Sequence, residues 1–281
     1  MSRYRKVELH LSQLRELQSI ITSMKTLSQL ELRKLSRLTR SHSGMVEVLE
    51  QTVIDFLTYF PRPPTEKDNT IWLLVGSERG LCGGFNELLV DRLFHEWPEC
   101  VDKQQRVLAV GHKLCRRLDE MLPGHEGIAG ACASEEITSL LSRVVRAAKK
   151  QLMHHNSVTL RVLYHSDEHR KMICRQLLPP EGVRVSTKRT FPPLLYLDPE
   201  TFFSKFLQHY LFLGLTQLIS DSLMVENRYR TQHLGGAIRR LDERLTILNS
   251  RARSLRQEEI TEEIEMIILG SGVFDFPHKQ D

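Results

Sequence analysis

Glycine, histidine, glutamate and cysteine are the residue types here whose spacing invites a chemical reading. The sharpest case is Ile71–Asn86, IWLLVGSERGLCGGFN. An apolar run, Ile71–Val75, breaks into a turn carrying Gly76, Gly80, Gly83 and Gly84, and a helix-like segment follows. Strand, glycine loop and helix is a local order that cradles phosphates. A phosphate loop of the G-x-x-x-x-G-K-[ST] kind needs its lysine as charge partner and its hydroxyl as magnesium ligand. Here Gly84 is followed by Phe85 and Asn86, and no two loop glycines are spaced G-x-G as a dinucleotide fingerprint requires. The glycines are therefore expected to serve the backbone, through positive φ or close approach to a neighbouring element.

The other constellations read in the same way. His165 and His169 have an i, i+4 spacing, and His154 and His155 lie nearby, but without a cysteine or glutamate pair to complete a metal set. They are expected to be solvated turn histidines. Glu258, Glu259, Glu262, Glu263 and Glu265 point several ways on a helix and read as a solvated acidic band. No G-x-S-x-G elbow is present. Cys82, Cys100, Cys115, Cys132 and Cys174 make no C-x-x-C pair and read as free thiols in a reducing compartment. No catalytic residue, cofactor or metal is expected of this chain itself.

The elements that position these residues follow from proline. None occurs before Pro61, and none between Pro199 and Pro277. Proline costs about 3 kcal/mol in a helix interior, so the two free arms can be long helices. In the first, taking Leu14 as position a, the seam reads Leu14, Leu17, Ile21, Met24, Ser28, Glu31, Leu35, Leu38, His42, Met45, Leu49, Thr52, Phe56 and Tyr59. Arg15, Lys25, Arg33, Lys34, Arg37 and Arg40 are expected on a basic outer face. In the last arm, entered at Asp198–Pro199, Leu234, Ile238, Leu241, Leu245, Leu248, Ala252 and Leu255 keep a 4-3-4-3 spacing. Ile260, Ile264 and Ile267 continue on a shifted seam. A helix from 200 to 269 would be about 100 Å long and needs a partner of comparable length. The first arm is the candidate, so the two are expected to pair as an antiparallel coiled coil.

Between the arms, Ile71–Val75, Val107–Val110, a half-buried strand at Val158–Tyr164 and Met172–Leu178 alternate with helical stretches near 86–97, 112–121 and 135–153. This predicts a small, mostly parallel α/β layer domain, with a hairpin at the turn YHSDEHRK. The expected parts are an N-terminal helix over 1–60, an α/β domain over 66–195, a C-terminal helix over 199–270 and a tail over 271–281. A net charge of +4 is too small to argue for nucleic acid. No apolar run approaches the roughly 20 residues that span a membrane. The basic start, MSRYRKVELHLSQL, lacks a signal core, carries Glu8 and reads as part of the first helix.

Three stretches resemble one family. ERGLCGGFN, Glu78–Asn86, is similar to the D-R-G-L-C-G-G-x-N signature of the gamma subunit of F-type ATP synthases. LQSIITSMKTL, Leu17–Leu27, resembles its N-terminal T-Q-K-I-T-K-A-M-K-M-V, with Gln18, Ile20, Met24 and Lys25 matching. NSRARSLRQEEITEEI, Asn249–Ile264, is similar to its C-terminal Y-N-x-A-R-Q-A-x-I-T-x-E-I-x-E-I. Ile21 and Ser23 depart from the usual Thr and Ala, which marks a divergent member.

The resemblance implies terminal helices in a coiled coil flanking a Rossmann-like domain. It implies a central rotor shaft that couples ion flow through a membrane ring to ATP synthesis or hydrolysis, with the catalytic sites on beta. Alpha, beta and epsilon subunits and the c-subunit ring are the implied partners. The implied beta contacts are Met24, Lys25, Arg79, Cys82, Arg251, Arg253, Arg256 and Gln257. Gly80, Gly83 and Gly84, with Leu241, Leu245 and Leu248, are implied structural positions. The absence of a targeting segment points to the cytoplasmic face of a bacterial plasma membrane. A coiled-coil scaffold with an α/β head, or a nucleotide-binding regulator using Gly80–Gly84, are the alternative classes.

Overall fold

The computed structural model describes residues 3–60, 70–101, 106–152, 159–167, 169, 171–179 and 194–270. His154, His155 and the tail 271–281 lie outside them. Two compact units are formed: 1–26 with 234–281, and 27–233. Helix α1, Arg3–Tyr59, and helix α5, Pro199–Gly270, each contribute to both. The start of α5 is set locally. The Asp198 carboxylate accepts the Thr201 N–H at 2.9 Å, and Pro199 occupies the first turn, where a missing N–H costs nothing.

In the first unit the two helices run antiparallel. Leu11 and Leu14 of α1 are buried against Leu245 and Ala252 of α5, with Tyr4, Val7, Leu241 and Leu248 packed around them. Arg15 Nη2 donates to Asn249 Oδ1 at 3.1 Å, and Gln18 Nε2 donates to Asp242. Ile260, Ile264 and Ile267 do not continue a seam: they are exposed, because Tyr4 and Val7 already pack in the group around Leu245 and Ala252 and little of α1 remains to meet them. The five glutamates lie on this same stretch, and all but Glu259 are exposed.

The second unit holds a five-stranded sheet of order β3-β2-β1-β4-β5: β1 Thr70–Val75, β2 Val107–Val110, β3 Glu126–Ile128, β4 Thr159–Ser166 and β5 Lys171–Leu178. The first four are parallel, and β5 returns antiparallel from β4 as a hairpin. Helices α2, Phe85–Glu96, and α3, His112–Leu118, cover one face with Phe85, Leu89, Leu93, Leu114 and Leu118 over Trp72 and Leu74. Helix α4, Ile137–Leu152, covers the other with Leu35 of α1 and Leu215, Leu218, Ile219 and Leu223 of α5. The expectation that β4 is half-buried is corrected. It lies between β1 and β5 with both faces covered, and only Arg161 escapes burial.

The heptad of α1 is also corrected, by one row. The a positions Leu14, Ser28, Leu35 and Phe56 are buried, but the second row falls four residues on rather than three. Leu17 is 49% exposed and Met45 56%, while Val46 is 3% and Val53 1%. Glu31 is not a seam lapse. Its carboxylate accepts the Ser134 N–H at 3.2 Å and pairs with Lys34 at 3.1 Å, tying α1 to the turn before α4.

Candidate functional site

The loop from Gly76 to Gly84 leaves the carboxyl end of β1. There the sheet order reverses, with β2 on one side and β4 on the other, which is where open α/β sheets place ligands. Its chemistry depends on where its polar groups go. The Ser77 N–H donates to Asn86 Oδ1 at 3.0 Å, and Asn86 Nδ2 donates to Ser77 Oγ at 2.8 Å. Glu78 Oε2 accepts the N–H of His112, the first residue of α3, at 2.9 Å and that of Gly130 at 2.7 Å. A helix N-terminus and its neighbouring amides are an anion site; here a carboxylate of the chain itself occupies it.

Helix α5 closes the rest. Ser222 Oγ donates to the Val75 carbonyl at 3.0 Å. Arg230 Nη2 donates to the Arg79 carbonyl at 3.1 Å, and its Nε to the Gly80 carbonyl at 3.2 Å. The same guanidinium meets Asn227 Oδ1 at 3.2 Å and the buried Glu226 carboxylate. Burial pushes the Glu226 carboxyl up to about 7, against the downward pull of Arg230. Residues 79 and 80 therefore present carbonyl oxygens to a cation, the reverse of a phosphate cradle.

Two residues of the loop take the left-handed conformation: Gly83 at φ +59°, and Leu81 at +66° despite its side chain. Leu81 is 46% exposed, so the loop projects an apolar side chain from a strained backbone. Gly84 has φ −77° and open space around it. A Cβ on Gly80 would meet only the Lys113 side chain, at 3.5 Å. Cys82 is buried, its Sγ 3.4 Å from Ser77 Oγ, and burial raises its thiol pKa. Arg79 is exposed. Gly111, at φ +103°, combines a left-handed backbone with a close approach: a Cβ there would stand 2.5 Å from the Ser77 carbonyl oxygen. Gly111→Ala should therefore cost about 3 kcal/mol, read from denaturant unfolding. Gly84→Ala should cost less than about 1 kcal/mol. Equal costs would show that the backbone contact beneath the loop yields freely.

The other implied beta contacts and structural leucines lie in the first unit. Lys25 does not sit on an outer face. It is half-buried, and its Nζ stands 3.6 Å from where a Cβ on Gly235 of α5 would be, an ordinary packing distance. Met24 is half-buried beside it. Arg251, Arg253, Arg256 and Gln257 are exposed around the buried Ala252, while Leu245 is buried and Leu241 and Leu248 half-buried. The histidine expectation is corrected for His165. It lies on β4, is buried, stacks on Phe85 with ring centroids 4.1 Å apart, and donates from Nε2 to the Phe85 carbonyl at 2.9 Å. Burial lowers its pKa and holds it neutral. His169 is exposed. Sequence reasoning missed the strap of Glu226, Asn227 and Arg230. Its signal is two opposite charges at i, i+4, Glu226 and Arg230, directly after the apolar run Leu223–Val225.

Comparison with known proteins agrees in fold and extent. The family model described as ATP synthase matches residues 3–272. The chain is 24% identical to the ATP synthase gamma chain of Campylobacter curvus, over 96% of this chain and 98% of that one. It is 21% identical to the gamma chain of Leptospira biflexa, over 96% and 99%. Among solved structures it is similar to a chain of the Euglena gracilis mitochondrial ATP synthase OSCP/F1/c-ring assembly, with TM-score 0.66, 13% identity and coverage of 99% and 98%. A chain of the Tetrahymena thermophila ATP synthase central stalk and c-ring matches with TM-score 0.56 and 15% identity, over 78% and 99%.

Proposed function

The chain belongs to the ATP synthase gamma family, and we propose that it is the central rotor shaft of an F-type ATP synthase. The carrying observation is a family match across both long helices and the α/β domain between them. A shaft transmits torque, and the antiparallel pairing of α1 with α5 provides a stiff element for it. The subunit is non-catalytic. The loop at the sheet's switch point supports this reading, since the Ser77 amide is taken by Asn86, the start of α3 by Glu78 and the Arg79 and Gly80 carbonyls by Arg230.

The finer assignments rest on this premise. ATP chemistry belongs to sites on beta subunits, and the beta contacts are Met24, Lys25, Arg251, Arg253, Arg256, Gln257 and the loop at Arg79–Cys82. Exposed Arg79 suits an acidic partner loop, and projecting Leu81 adds an apolar contact. Cys82 contributes through its backbone, its thiol being turned inward. The working parts are the arms 1–60 and 199–270, the head 66–195 and the tail 271–281. Epsilon and the c-ring engage the head, and the assembly sits peripherally on the cytoplasmic face of a bacterial plasma membrane. Among the described residues no helix is long and apolar enough to cross a membrane.

Affinity-tagged chain expressed with the alpha and beta subunits of its source should bring both down in a complex that hydrolyses ATP. The purified chain alone should show no turnover. Recovery of the chain without alpha and beta, under conditions where those two assemble, would return the scaffold reading to first place.

A further inference from the structure

We propose that the groove between α2 and the β4–β5 hairpin is a binding site for a multiply charged phosphate compound, a polyphosphate or a phosphate ester. The groove measures about 460 Å³, within the range of small-molecule sites. Arg92 of α2, Arg161 of β4 and Lys171 of β5 line it, against one carboxylate, Glu96. Glu96 is taken by Arg92. Three permanent cations from three separate elements therefore share one neutralising charge among the described residues.

Arg161 is the telling residue. Every other position of β4 is buried, yet this one carries a guanidinium. Its recorded contact is the Trp72 ring, 5.6 Å from centroid to Cζ, and no carboxylate among the described residues pairs with it. Trp72 stacks in turn on Trp97, with centroids 5.6 Å apart. A cation–ring contact of this kind uses none of the guanidinium's five N–H donors, which is the form in which arginine reads phosphate oxygens. Arg92 Nε is buried without a hydrogen-bond partner, a second donor whose desolvation is uncompensated. Lys171 is exposed at the rim, as a point charge that admits an anion. Two unmatched charges and an orphan donor select a ligand with at least two negative charges over a single carboxylate. This site is separate from the loop at Arg79–Gly84, and it does not rest on the rotor reading.

The test uses the full chain and sodium tripolyphosphate, followed by calorimetry and by tryptophan emission. The chain has two tryptophans, Trp72 and Trp97, stacked on each other with Trp72 beside Arg161, so emission reports on the surroundings of that guanidinium. Tripolyphosphate should bind and shift the emission. Arg161→Gln and Lys171→Gln should each weaken binding about tenfold, the worth of one charge-assisted hydrogen bond. Arg146→Gln, on the exposed side of α4, should change it less than about twofold. Phosphatidic acid vesicles, whose phosphomonoester headgroup carries up to two negative charges, form a second arm. Binding to vesicles alone, lost in Arg161→Gln, would support the site and make a lipid headgroup the source of the phosphate. Equal weakening by Arg146→Gln would reduce the effect to diffuse surface charge and overturn the site. So would the absence of binding in both arms. Should Arg161→Gln fold poorly by circular dichroism, Lys171→Gln decides, since that side chain is exposed and supports no packing.

Discussion

Replacing Leu241 and Leu245 together by aspartate should cost about 3–5 kcal/mol, with the loss confined to one part of the chain. Both side chains pack in the apolar group formed with Leu11, Leu14, Leu248 and Ala252 in the first unit. Two carboxylates placed there must either stay in water, which separates the helices, or lose their hydration without a cation to meet them. The nearest polar neighbours are already engaged: Arg15 with Asn249, and Gln18 with Asp242. Circular dichroism should show helix lost at a lower denaturant concentration than in the parent. Amide exchange should rise in 3–26 and 234–259, while the sheet strands keep their protection. A double variant with parent-like exchange in those stretches would mean that the helices do not depend on each other there.

That expectation was legible in the sequence because α5 carries its own punctuation. Asp198–Pro199 marks the entry, and the apolar spacing from Leu234 to Leu255 is unbroken. The partner row on α1 was not, for a physical reason. Gln18 and Lys25 face α5, where Gln18 meets Asp242 and Lys25 lies against Gly235. Apolar Leu17 and Met24 stand one residue earlier and mimic a seam. Periodicity scores apolar residues and is blind to a polar side chain that has found a partner. Strand β3 escaped because three residues with a central glycine carry no pattern. His165 escaped because a neutral, stacked imidazole reads in sequence like a solvated one. For the candidate site, the missing lysine and hydroxyl argued against a phosphate reading of the glycine loop. What replaced the phosphate was hidden, since Arg230 lies about 150 residues beyond the loop it holds.

The strap gives the second large effect. Arg230→Met should cost about 3–5 kcal/mol at pH 8, because it strands the buried Glu226 carboxylate and leaves the Arg79 and Gly80 carbonyls without a donor. The pH dependence fixes the mechanism. In the parent, burial already raises Glu226 to about 7 from an ordinary carboxyl value of about 4.5. A carboxyl raised on folding is protonated more readily in the native state, so its contribution falls as pH rises from about 4.5 through about 7. Arg230 pulls in the opposite direction, so its removal raises the carboxyl further and extends that decline to higher pH. The deficit of Arg230→Met against the parent should therefore be smaller at pH 5 than at pH 8. The double variant Glu226→Gln, Arg230→Met should recover much of the loss at pH 8, with little pH dependence left over this window. A second readout concerns the loop. Without its strap, amide exchange over 79–84 should rise. In the assembled ATPase, hydrolysis should persist while ATP-driven ion pumping falls, because the proposed contact with beta is loosened rather than the chemistry removed. A deficit in Arg230→Met that is the same at pH 5 and pH 8 would place the cost in lost packing and refute the stranded carboxylate. Equal losses of hydrolysis and pumping, with assembly intact, would take the loop out of the coupling contact.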